Sequence, residues 1–153
     1  MLDFHRIQYS AYELPVEKLG AFETAALLGI DPAMVFKTIV VTREKPKKPL
    51  LIVLPGTKEV DLKLVAKALG EKKVTLPTER EAEVITGLKA GGISPLALIN
   101  RGFAVLIDAS AKNMSQIHIS GGQRGLNLKL SIDDLADLTD AKFATISREL
   151  SMT

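Results

Sequence analysis

Three segments carry residues whose types and spacing suit chemistry. In Val35-Phe36-Lys37-Thr38-Ile39-Val40-Val41, strand alternation sets Lys37 on the same face as Ile39 and Val41. A lysine among apolar neighbours needs an anion, a water path or a snorkelling route to solvent, so this one offers a phosphate or carbonyl contact at a pocket mouth. A strand-end lysine reaching solvent accounts for the same pattern, and on this segment alone it is the plainer reading. In Gly91-Gly92-Ile93-Ser94-Pro95 the paired glycines admit positive φ and close approach of a ligand, while Pro95 biases Ser94 toward an extended conformation. Successive N–H groups there can form a concavity for an oxyanion or a phosphate. A tight turn between a helix and a strand is the competing account. Ser120-Gly121-Gly122-Gln123-Arg124-Gly125 has the same permissive backbone, with a hydroxyl suited to a ribose or an amino group. A β-hairpin turn is the commoner reason for such a run.

Other chemistries lack their residues. The chain has no cysteine, which removes disulfides, thiolate-bound metals and a protein thiol nucleophile. His5 and His118 are the only histidines, far apart and in strand-like surroundings, where each reads as an ordinary polar strand residue. Neither glycine run ends in Gly-Lys-Ser/Thr or has GxGxxG spacing, and no nucleophile elbow, HExxH or calcium loop is present. The expectation is a site without metal or cofactor.

The elements that must position these residues follow from hydrophobic spacing. Phe4 and Arg6 to Tyr9 read as extended. Pro15 suits the first turn of a helix whose face is Val16, Leu19, Phe22, Ala26 and Leu27, ending near Gly29. Asp31-Pro32 starts a short turn, Val35 to Thr42 is a β-branched strand, and Arg43 to Pro49 is a hairpin loop leading into a buried strand, Leu50 to Leu54. Asp61 caps a helix with Leu62, Val65, Ala66 and Leu69 on one face, stopped by Gly70. Val74 to Leu76 is a short strand, and Thr78 and Glu81 have capping-box spacing for a helix ending near Gly87. Phe103 to Ile107, Gln116 to Ile119 and Leu126 to Leu130 read as strands, Ser131 begins an acidic helix, and Lys142 to Ile146 adds a last strand. Roughly seven strands and several helices in irregular order predict an α+β fold over a doubly wound one, with a mixed, curved or barrel-like sheet.

At 153 residues and 46% hydrophobic, the chain suits one domain over residues 1–153, since half-length units would be marginal. No secretory pattern opens it and no apolar run reaches transmembrane length, so the expected compartment is the cytoplasm, without a membrane partner. A net charge of +2 is weak for a nucleic-acid binder, yet Lys45, Lys47 and Lys48 and the lysines from Lys58 to Lys73 give a basic middle against an acidic C-terminal third. That pattern fits either a phosphate-facing side or ordinary solvated faces.

Taken together, Val35-Phe36-Lys37-Thr38, Asp61 to Gly70, Gly91 to Leu96 and Ser120 to Leu126 resemble the YbaK-type deacylases, free-standing relatives of the editing domain inserted in bacterial prolyl-tRNA synthetases. The resemblance runs from about Phe4 to Ala144. It implies a barrel-like mixed sheet with helices packed outside and release of Cys wrongly attached to proline tRNA. It also implies an aminoacyl-tRNA 3′ end as partner. By that matching Lys37 falls on the family's functional lysine, Gly91 on a glycine whose backbone contacts the aminoacyl carbonyl, Ser120 on the serine of the second glycine turn and Tyr9 on a pocket tyrosine. Thr38, Gly92, Ser94 and Gly121, in the same motifs, join the implied substrate-binding set.

Two features depart from the family pattern. The helix that usually precedes the first strand is missing here, and Asn127 stands where relatives often carry Asp, which bears on recognition of the amino group. In the implied mechanism the substrate's own thiol attacks its carbonyl while Gly91 aligns that carbonyl and Lys37 holds the anionic side of the terminal nucleotide. Water attack aided by a ribose hydroxyl is the variant for an Ala-type or broader substrate range. A non-catalytic tRNA or nucleotide-binding module and a subunit docking onto prolyl-tRNA synthetase are the rival classes.

Overall fold

The computed structural model describes residues 8–44, 48–99 and 101–150. Its centre is a mixed five-stranded sheet of order β5-β2-β3-β6-β9, formed by β2 (Phe36–Arg43), β3 (Leu50–Pro55), β5 (Val74–Thr75), β6 (Ala104–Asp108) and β9 (Lys142–Ala144). Strand β3 is buried along its whole length, antiparallel to β2 and parallel to β6. Alternation divides its side chains between two cores. Leu50, Ile52 and Leu54 pack with Val65 and Ala66 of α2 (Leu62–Leu69), whereas Leu51 and Val53 pack in a larger core with Ile117, Ile119, Leu128 and Leu130.

Those last four residues belong to a second, antiparallel sheet of order β1-β8-β7: β1 (Tyr9–Glu13), β7 (Gln116–Ser120) and β8 (Leu126–Ser131). An isolated parallel bridge from Val35 to His118 ties this sheet to the start of β2. The two sheets thus wrap one core, in the α+β, curved and barrel-like manner that the sequence predicts, although the described residues form no closed barrel. A third ladder pairs β4 (Lys58–Val60) with β10 (Ser147–Glu149). These two short, charged strands have no apolar alternation to announce them. The expected extended run at Phe4 and Arg6–Ile7 lies outside the described residues, and the strand there occupies Tyr9–Glu13.

Helix starts follow local chemistry closely. The Asp61 carboxylate accepts from Lys63 N and Leu64 N to open α2, and Gly70 closes it in the left-handed region at φ 69°. Thr78 and Glu81 form the expected capping box at α3 (Glu79–Thr86), and Ser131 caps α4 (Ile132–Thr139). The first helix departs from expectation: α1 is Ala21–Leu28, capped at Gly20, whose N–H donates to Glu23. Pro15 to Leu19 are not helical, and of the predicted apolar face Val16, Phe22 and Leu27 are 82%, 57% and 53% exposed. The cause is tertiary. Leu14 N donates to the Gly125 carbonyl at 2.8 Å, and Lys18 lies against Gly91, so this stretch is pinned along two glycine loops and cannot coil.

The fully buried Ile52, at the centre of β3, gives the expected test of this layering. Ile52→Ala should destabilise by about 2–5 kcal/mol with an unchanged denaturant slope, measured by urea unfolding.

Candidate functional site

A cleft of about 410 Å³ opens where β2 lacks a sheet neighbour. One edge of β2 pairs with β3, but among the described residues the other is bridged only at Val35 and paired with β5 only at Thr42 and Arg43. Residues 35–40 in the gap all line the cleft. The facing walls are the irregular stretch before α1, the start of α3, the Ala90–Gly91 turn and the β7–β8 hairpin at Ser120 and Asn127.

Lys37 and Thr38 line this cleft, as do Gly91 and Ser120. Lys37 is half-buried, with no hydrogen-bond partner for its ammonium among the described residues. Desolvation pulls its pKa below the ordinary lysine value, and the charge of nearby Glu59 opposes that shift. Gly91 sits at φ 87°, where a side chain is strained, and a Cβ there would lie 3.3 Å from Lys18 Cα. Ser120 Oγ accepts from Gly122 N at 3.2 Å, which shapes the hairpin turn.

The other expected residues, Tyr9, Gly92, Ser94 and Gly121, are not among those that line the cleft. A Cβ on Gly92 would meet the Gln123 backbone at 2.9 Å, so the absence of a side chain lets the two glycine loops touch. Arg124 Nε donates to the Ala90 carbonyl at 2.6 Å and clamps the same contact. Gly121 makes room for Leu126, since a Cβ there would be 2.5 Å from its side chain. Ser94 is fully buried outside the cleft, and its Oγ accepts from Leu96 N at 3.2 Å. Tyr9 does not line the cleft. It lies opposite Leu130 and packs against the larger core, while Tyr12, the other tyrosine of β1, lies opposite Asn127.

Composition and motif matching passed over one buried polar pair. His118 Nδ1 and Asn127 Oδ1 are 2.8 Å apart, with the residues 2% and 5% exposed, and the Tyr12 ring packs on the imidazole at 5.6 Å. Alternation back from Ser120 places His118 on the same strand face, which is the one signal the sequence offered. Desolvation lowers the His118 pKa; the hydrogen bond to Asn127 opposes this and the charge of Lys129 adds to it. Among the described residues no group of three or more His, Asp or Glu is placed to hold a metal, and no helix is long and apolar enough to cross a membrane.

The model of the aminoacyl-tRNA editing domain matches residues 18–138, a span that includes Lys37, Gly91, Ser120 and Asn127. The chain belongs to the aminoacyl-tRNA editing domain family. Within that family it is 35% identical over 149 residues to EbsC of Enterococcus faecalis, a proposed Cys-tRNA(Pro)/Cys-tRNA(Cys) deacylase, covering 96% of this chain and 90% of EbsC. It is 24% identical to the proline–tRNA ligase of Limosilactobacillus reuteri over 94% of its own length but only 28% of the ligase. The crystal structure of a proposed trans-editing enzyme for prolyl-tRNA synthetase shares the fold, with a TM-score of 0.81 at 22% identity over 96% of this chain and 90% of that one.

Two outcomes test how this editing domain is built. Gly92→Ala should force the loops apart and destabilise by about 1–3 kcal/mol, read as a lower urea midpoint. A depressed His118 pKa means that below about pH 6.5 the unfolded chain takes up a proton that the folded chain refuses, so stability falls as pH falls toward the folded value. His118→Gln should remove that part of the acid-side loss; an equal loss in the variant would assign it to other groups.

Proposed function

We infer that this editing domain hydrolyses aminoacyl-tRNA carrying the wrong amino acid, with Cys on proline tRNA as the substrate, and that it works in trans in the cytoplasm. The observation that carries this reading is the meeting of Lys37, Gly91 and Ser120 in one cleft of a chain 35% identical to EbsC. A cavity of about 410 Å³ suits an amino acid and part of its terminal nucleoside. The substrate is an activated ester, so the protein needs to orient the carbonyl and stabilise developing oxyanion charge more than to supply a nucleophile. Gly91, free of a side chain, lets the carbonyl approach the backbone. Lys37 brings a cation, without a partner among the described residues, beside the phosphate or ribose.

In this scheme the substrate thiol loses its proton and the sulfur attacks the carbonyl carbon. The ester bond to the ribose oxygen breaks, and that oxygen takes a proton. The product is a cysteine thiolactone, which water opens to free cysteine. A thiolate is a far better nucleophile than a hydroxyl at neutral pH, which favours Cys over Ser. Asn127 on the cleft wall supports a second reading, an Ala-type or broader range with water as nucleophile, because the residue at that point of the wall is an uncharged amide.

Deacylation of proline tRNA charged with Cys, Ala, Ser or Pro separates these readings, and absence of turnover on all four overturns both. S-methyl-Cys-tRNA should resist cleavage; cleavage as fast as that of Cys-tRNA would make water the nucleophile. Burial penalises the Lys37 ammonium, so its charge does not favour the folded state. Lys37→Met should therefore lower kcat/KM by about 100-fold with no loss of Tm. Unchanged kcat/KM would remove Lys37 from the site.

A further inference from the structure

The His118–Asn127 pair is buried, polar and built into the cleft wall, yet the scheme above gives it no task. Its geometry fixes which end of the Asn127 amide meets the substrate. Desolvation favours the neutral imidazole, which has one N–H to donate. The contact joins Nδ1 to Asn127 Oδ1, and an amide oxygen only accepts. The proton therefore belongs on Nδ1, donating to Asn127 Oδ1 across the 2.8 Å contact. No fully buried side-chain nitrogen or oxygen among the described residues lacks a partner. Asn127 Nδ2, with no partner of its own among the described residues, is consequently open to the cleft that Asn127 lines. Tyr12, opposite Asn127 in register and packed on the imidazole, holds the arrangement from the neighbouring strand.

Resting on the editing reading, we propose that His118 is a positioning residue: it holds the Asn127 amide so that Nδ2–H donates into the cleft to an acceptor atom of the acyl group, and the wall gives a substrate ammonium no anchor. The cleft thus receives the amino acid's amine uncharged, as an acceptor, where an Asp would hold it as a cation. The carboxylates that line the cleft do not replace that anchor. Glu17 and Glu79 are exposed, and Glu79 is already paired with Lys18.

The test compares two non-hydrolysable competitors of deacylation, 3′-deoxy-3′-(cysteinylamino)adenosine and its 3-mercaptopropionyl counterpart, which lacks the amine. At about pH 6 the amine of the first is an ammonium. For the unmodified protein the amino competitor should inhibit no better than its amine-free counterpart. Asn127→Asp should favour the amino competitor by about tenfold or more, the scale of a charge-assisted hydrogen bond. His118→Leu frees the amide to turn Oδ1 to the cleft and should shift the ratio toward the amino competitor, and His118→Gln, which can donate to Oδ1, should restore it. Melting temperatures report folding separately, and a change in stability alone does not move this ratio. Preference of the unmodified protein for the amino competitor as strong as that of Asn127→Asp overturns the donor orientation, and a ratio unmoved by His118→Leu overturns the role of His118. If neither compound competes, the editing reading falls and this proposal falls with it.

Discussion

The cleft depends on one steric constraint, the contact between the backbones of two glycine loops. Gly92 lies against Gln123 at a separation that leaves no room for a Cβ, and the Arg124 guanidinium fastens the same contact to the Ala90 carbonyl. Everything on the near side of the cleft hangs from this junction. Gly91 can present its backbone because its neighbour is anchored, and Leu14 to Lys18 follow the loops as a third strip of wall. A glycine pair in such a place does more than permit positive φ. It lets two main chains approach to a distance that side chains forbid, so the polar backbone groups of both face one space.

The opposite wall is an interrupted sheet. Strand β2 is secured to β3 along its length, but its second neighbour changes from a bridge at Val35 to β5 at Thr42, with the cleft between. An unpaired strand edge inside a protein leaves backbone donors and acceptors in need of partners. Here the gap opens into the cleft. Lys37 extends from the same interrupted stretch and keeps an ammonium with no ion pair among the described residues, in surroundings that disfavour charge. Such an arrangement lowers stability locally and suits binding of an anion.

Local signals read the elements well wherever the chemistry is local. The Asp61, Thr78 and Ser131 caps and the Gly70 and Gly87 stops all lie where their residue types place them. The first helix was mislocated because the fate of Pro15 to Leu19 is decided by glycine loops far along the chain, which no window of nearby residues contains. Strands β4 and β10 are not legible because three residues, two of them charged, carry no period. Within the site, Lys37, Gly91 and Ser120 were legible as motifs and do line one cleft, whereas Ser94 and Tyr9 share the motifs' neighbourhood and face elsewhere. The His118–Asn127 pair was illegible as a pair: a histidine and an asparagine on separate strands become partners only when the hairpin register is known.

The ladder of β1 with β8 joins Tyr9–Glu13 to Leu126–Leu130, so the first described strand waits for the last fifth of the chain before it has a neighbour. The Asn127 wall and the second glycine loop arrive with that same late hairpin. Pairing across such a sequence distance makes closure of the loop an entropic obstacle before any contact repays it, and chains of this kind fold slowly. On the ribosome the cleft stays open-ended until β8 has emerged from the exit tunnel. A nascent chain therefore carries the lysine and the first glycine loop for some time without a pocket to use them in.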